Sequence, residues 1–133
     1  MRKTALLLAA AAMLAAPAAL SAKPRLTGEE RLAKLLEGRE AGHPVSCLPL
    51  TASRDSTVID KTAIVYKSGS TIYVNRPRHA DALDDDDVMV VEIHGSQLCR
   101  LDTVRMHDRT GYFFTGFVGL EDFVPYRKVA AKD

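Results

Sequence analysis

Apolar positions fall along this chain in distinct textures. Ala5 to Ala16 is an unbroken run of twelve apolar residues. Further on, Leu32, Leu35 and Leu36 recur at i, i+3 and i+4, which is one stripe of an α-helix. Thr27 and Glu30 have the spacing of a capping box in front of that stripe, Glu29 and Glu30 suit the positive end of the helix dipole, and Gly38 is a fitting stop. The pattern predicts a short amphipathic helix over residues 28–37 with one narrow apolar face.

From Gly42 onward short β-branched runs alternate with Gly, Pro and Asp clusters. Pro44 and Pro49 bracket an extended Val45–Leu48 segment. Thr57–Asp60, Thr62–Tyr66 and Thr71–Asn75 are β-prone, and Lys67-Ser68-Gly69-Ser70 between the last two predicts a hairpin. Residues 76–87 form a long polar connection ending in Asp84–Asp87. Val88–Ile93 is almost continuously apolar, which predicts a central strand. Arg100–His107 alternates late in its run, with Val104 and Met106 facing one way and Arg105 and His107 the other. Asp108-Arg109-Thr110-Gly111 is a turn, and Tyr112–Val118 is the last long β-prone run. Gly116 and Gly119 suggest a bulge or bend there. Phe123-Val124 is a short strand that Pro125 ends.

No repeat or heptad is present, and the connections are too short for the crossover helices of a parallel sheet. The fold expected is α+β: a short N-terminal amphipathic helix, then a mostly antiparallel, curled sheet of five or six strands or a small open barrel.

The first apolar run changes the setting. Arg2 and Lys3 precede it, Pro17 breaks it, and Leu20-Ser21-Ala22 supplies a peptidase-type end, with Ala16 and Ala18 offering a second cleavage point. Twelve residues rise only about 18 Å as a helix, short of a bilayer core of about 30 Å. Residues 1–22 therefore read as a cleavable secretory signal peptide, 23–126 as a single domain and 127–133 as a C-terminal tail. The whole chain has 18 basic and 17 acidic side chains; losing Arg2 and Lys3 leaves 16 against 17, a formal charge of −1. That balance gives no attraction to nucleic acid, and no later stretch is apolar enough to span a membrane. A periplasmic monomer is expected.

Export also decides how the cysteines are read. Cys47 and Cys99 are the only two, and an even count in an oxidising compartment argues for a disulfide. A loop of this size is worth about 4 kcal/mol on the chain-entropy model. The long separation argues against a C-x-x-C redox pair.

Candidate chemistry is sparse. Asp81 and Asp84–Asp87 could hold Ca²⁺ through oxygen ligands, but an EF-hand alternates ligands around a Gly, and a solvated acidic loop is the plainer reading. His43, His79, His94 and His107 make no metal-binding pair, and neither a G-x-S-x-G elbow nor a glycine-rich phosphate loop occurs. No metal and no cofactor is expected. Arg76, Arg78 and His79 form a basic knot around Pro77 that suits a phosphate or carboxylate; its rival is pairing with the Asp run nearby. Six of the eight aromatics lie within fifteen residues: Tyr112, Phe113, Phe114, Phe117, Phe123 and Tyr126. On a strand Tyr112 and Phe114 share one face and Phe113 takes the other. One set must be core, and burial of both beneath the helix is the plainer expectation. The alternative is an exposed patch at Tyr112 and Phe114 for a partner or apolar ligand.

Several runs resemble a family of small exported proteins of Gram-negative bacteria classified as a domain of unknown function. They are Gly38-Arg39, Ala41-Gly42, Pro44–Leu50, Thr62–Tyr66, Tyr73–Arg78, Gly95–Asp102 and Phe123–Tyr126. The resemblance covers nearly all of the chain after the signal; its two Cys segments and Asn75-Arg76-Pro77-Arg78 are its most specific parts. It implies a periplasmic protein with paired cysteines and supplies no catalytic residues. The function expected is a non-enzymatic, disulfide-tied module that binds an envelope protein or small ligand, with Arg76, Arg78, Tyr112 and Phe114 as contacts. The alternative is a small hydrolase using His94 or His107 with Asp102 or Asp108, and a third possibility is a protease inhibitor or stabilising cap.

Overall fold

The computed structural model describes residues 22–130. The expected signal peptide lies outside the described residues, except for Ala22. Among the described residues no helix is long and apolar enough to cross a membrane.

Helix α1 spans Gly28–Leu35. Its capping box is complete: the Glu30 amide donates to Thr27 Oγ1 at 3.2 Å, and the Thr27 amide donates to Glu30 Oε2 at 2.7 Å. Gly28 is required by close approach, because a Cβ there would lie 1.9 Å from Thr62 Oγ1. The helix ends two residues earlier than predicted, and the chain turns through Gly38 in the left-handed region, φ +69°.

Among the described residues ten short strands follow: β1 Arg39–Ala41, β2 Cys47–Pro49, β3 Ser56–Ile59, β4 Ala63–Ser68, β5 Thr71–Asn75, β6 Val88–Val91, β7 Gln97–Cys99, β8 Thr103–His107, β9 Phe114–Gly119 and β10 Phe123–Lys128. A single 3₁₀ turn at Ala80–Ala82 lies between β5 and β6. The α+β expectation holds in its coarse form, one helix with antiparallel sheet. The single curled sheet does not: the strands form three sheets, ordered β1-β10-β5-β4-β3, β2-β7 and β6-β8-β9, and they do not close into a barrel. The predicted hairpin is β4–β5, closed by Gly69 at φ +58°. Val88–Ile93 was expected at the centre of a sheet; β6 is instead an edge strand and only partly buried. β10 runs past Pro125 to Lys128, because β1 pairs alongside it and carries Arg127 and Lys128, expected in the tail, into the sheet.

The five-stranded sheet is the middle layer. One of its faces, with Ile59, Ala63, Val65, Ile72 and Val74, packs against Leu32 of α1. The other, with Ile64, Tyr66 and Phe123, meets Leu48 and Leu98 of the two-stranded sheet and Val104, Met106 and Val118 of the three-stranded sheet. Cys47 and Cys99 face each other across β2 and β7 and are bonded as a disulfide.

Candidate functional site

The sheet β6-β8-β9 is the outermost layer, and its two faces differ. Val104, Met106 and Val118 point inward and are fully buried. Alternation sends their neighbours outward. Cross-strand register then builds two adjacent rows on the outer face: Val90–Arg105–Phe117 and Val88–His107–Phe114. Phe114 packs edge-on against His107, and Phe117 edge-on against His79. Arg105 is paired with Glu92, so the one cation among these rows is matched by a carboxylate.

The β8–β9 turn extends this surface. Asp108 Oδ1 accepts the amides of Thr110, at 2.9 Å, and Gly111, at 2.6 Å. These two amides, Gly111 first, hold the Asp108 carboxyl below its ordinary range. The Tyr112 amide donates to Asp108 O at 2.9 Å, and His107 Nδ1 lies 3.1 Å from Tyr112 O, the geometry of a ring N–H donating to a carbonyl. Tyr112 is thereby held at φ +54°, a left-handed conformation that costs a bulky side chain energy. A bulge between Met106 and His107 leaves Thr115 without a partner on β8, and its hydroxyl donates to the Asp87 carboxylate. Arg109 ties the turn to the acidic loop by donating to Asp86 O and Asp87 O.

This corrects the expectation of burial under the helix. Tyr112, Phe113, Phe114 and Phe117 are 69, 62, 56 and 51% exposed. The reason is topological: α1 covers the five-stranded sheet, and nothing among the described residues covers the outer face of β6-β8-β9. Tyr112 and Phe113 belong to the turn, so strand alternation never applied to them. Phe117 is part of the aromatic run offered from sequence as candidate contacts, of which Tyr112 and Phe114 are the two named individually. Its signal was the alternation of β8, because the partner of an outward Arg105 must itself point outward.

The other sequence-derived residues fall elsewhere. Arg76 makes a forked ion pair with Glu29, at 2.7 and 3.0 Å, which lowers the Glu29 carboxyl and raises the guanidinium. Arg78 pairs with Glu121 at 3.0 Å. Local pairing was anticipated, but the partners are these glutamates and not the Asp run. The Asp run is held differently: Arg31 meets Asp85 at 2.5 Å, and Asp60, Asp84 and Asp85 bring three carboxylates within 4.8 Å of one another. Of the proposed hydrolase pairs, His94 and Asp102 line one groove of about 350 Å³. Among the described residues no hydrogen bond joins them, and Asp102 Oδ2 accepts the Cys99 amide at 2.8 Å. His107 and Asp108 are both committed to the turn.

Scans against protein-family models, curated proteins and solved structures return no match.

Proposed function

We propose that this chain is an exported, disulfide-tied binding module that works in the periplasm, and that the outer face of β6-β8-β9 with its aromatic turn is its contact surface. The observation that carries this reading is the exposure of four aromatic side chains on one hairpin whose turn is fixed by hydrogen bonds and by a strained Tyr112. Contiguous apolar surface rimmed by polar groups is typical of recognition sites, and a rigid display limits the entropy lost on binding. Aromatic side chains also dominate the energetically important positions of interfaces. Arg76 and Arg78 are secondary contacts at most, since a ligand there must displace Glu29 or Glu121.

The test is site-specific photo-crosslinking in the exporting cell, with a photoreactive phenylalanine at Phe117 and, as control, at exposed Lys67 on the β4–β5 hairpin. A defined adduct at Phe117 and none at Lys67 is expected. Equal or absent labelling at the two positions overturns the assignment of the surface.

A small hydrolase remains the second reading, favoured only by the shared groove of His94 and Asp102. A defined ester or peptide hydrolysis lost in His94→Ala would favour it over the binding module.

A further inference from the structure

We infer that the open edge of β3 is a second binding site, which takes up an extended peptide segment of a partner protein, basic on one face and apolar on the other, as an added strand.

β3 and β6 are end strands of their sheets. The Lys67 amide donates to Asp55 O at 2.8 Å, so the antiparallel ladder with β4 engages Asp55 and Thr57. The N–H and C=O groups of Ser56 and Val58 are thereby turned away from β4. Among the described residues no other segment hydrogen-bonds them. An edge of unpaired main-chain groups is a template for a further strand.

A strand laid beside β3 continues the five-stranded sheet and sends its side chains alternately to the two faces. Each face has a groove beside this edge. On the face where Ile59 meets α1, a groove of about 480 Å³ is lined by Leu26, Leu35, Thr57 and Ile59, with Arg31 and Lys34. On the face where Val58 joins the shared core, a second groove of about 480 Å³ runs between β3 and Val88 and Met89 of β6, with Arg31, Asp85, Asp87 and Arg109. Open main-chain groups flanked by grooves for alternate side chains are what strand addition uses: the first give affinity, the second specificity.

Charge then separates the two rows of the incoming segment. Beside the β6 groove, Asp60, Asp84 and Asp85 bring carboxylates within 4.8 Å of one another, and Asp86 and Asp87 follow. The guanidiniums set against these five carboxylates are those of Arg31 and Arg109. The surplus selects lysine or arginine on that face. The Arg31–Asp85 pair lies at the surface and is weak enough to exchange with an incoming cation. The groove beside α1 has an apolar wall, and its charged groups, Arg31 and Lys34, are cations, so that face selects apolar side chains.

The experiment uses a fluorescein-labelled peptide of about seven residues alternating lysine and valine, titrated with the disulfide-intact protein. Fluorescence anisotropy measures affinity and amide NMR locates the site. Saturable binding is expected, weakening as salt rises, with the largest shifts at Ser56 and Val58. Grouping the lysines apart from the valines, or replacing lysine by glutamate, should weaken it about tenfold or more. Val58→Pro removes an outward N–H without touching the β4 ladder, and should cost about tenfold. Asp84→Asn/Asp85→Asn should cost about fivefold at low salt. Methylating the peptide's own amides tests the edge even if the proline variant fails to fold. One alternate set, whose N–H groups face β3, should abolish binding when methylated, and the other should be tolerated.

No binding at millimolar peptide overturns the proposal, as does equal affinity for the grouped peptide or equal loss from both methylated sets. Undiminished binding by folded Val58→Pro or by the double asparagine variant overturns it too. Shifts confined to Phe114 and Phe117 overturn it while leaving the outer face of β6-β8-β9 as the contact surface.

Discussion

Two hairpins of this protein are built from similar residues and meet opposite fates. In β4–β5, Ala63, Ile64, Val65, Tyr66, Ile72 and Val74 are all buried, on both faces. In β8–β9, Val104, Met106 and Val118 are buried on one face while Phe114 and Phe117 stand in solvent on the other. Propensity does not separate them; both are rich in β-branched and aromatic residues. Position in the stack does. The first hairpin lies in the middle layer, with α1 on one side and the other two sheets on the opposite side. The second is the outermost layer, with one face exposed. The difference teaches that exposure of an aromatic residue here is a property of the layer and not of the residue.

The comparison can be tested by substitution, starting where the effect is greatest. Replacing both Cys47 and Cys99 by Ser removes the tie that holds β2 to β7 behind the shared core, and the cost on the chain-entropy model is about 4 kcal/mol. Urea unfolding measures it, and a loss under about 1 kcal/mol contradicts a structural role. Ile64→Ala, in the middle layer, is expected to cost about 3 kcal/mol by the same assay. A near-neutral result there would mean that the double coverage of β4 is wrong.

Tyr66 sharpens the contrast from the opposite direction. Its hydroxyl is buried without a hydrogen-bond partner among the described residues, and burial pushes its phenol well above the ordinary range. Tyr66→Phe removes an unsatisfied oxygen while keeping the edge-on contact with Phe123, so it should stabilise the protein by about 1 kcal/mol. A thermal melt that moves downward refutes this.

In the outer layer Phe117→Ser should change stability by no more than about 0.5 kcal/mol, since its ring fills no core. A loss like that of Ile64→Ala would erase the distinction between the two hairpins. The smallest effect is a pH dependence at the turn. Asp108 is held below 3.8 by the Gly111 and Thr110 amides. A carboxyl depressed in the folded state contributes stability above its unfolded pKa and loses it as pH falls through the folded value. The turn should therefore loosen only below about pH 4. NMR titration of the Asp108 side chain checks this, and a midpoint at or above 3.8 removes the claim.

Much of the local structure was legible because its causes are local. Thr27, Glu30 and the Leu32 stripe encode a capped helix, Gly69 closes a hairpin, and Val104 and Met106 announce the buried face of β8. Pro125 misled, because it ended a strand on paper that β1 extends in space. Val88–Ile93 misled for a related reason: a continuous apolar run describes hydrophobicity but not position, and β6 took the edge. Of the exposed aromatics, Tyr112 and Phe114 could be named from sequence, but their exposure could not be decided. Phe117 joins them only through the register of β9 on β8. The glutamates that hold Arg76 and Arg78 lie 47 and 43 positions away in sequence, beyond any local pattern.

The sequence by itself determined the helix, most strand segments, the single possible cysteine pairing and the concentration of aromatics near the C-terminal end. These follow from periodicity, turn residues and counting, which act over a few neighbours or need no geometry. Only the tertiary structure decided how ten strands divide into three sheets, which sheet the helix covers, and therefore which aromatic face was left open. Those outcomes depend on contacts between segments far apart in the chain, where burial is set by what packs on top and not by the residue beneath.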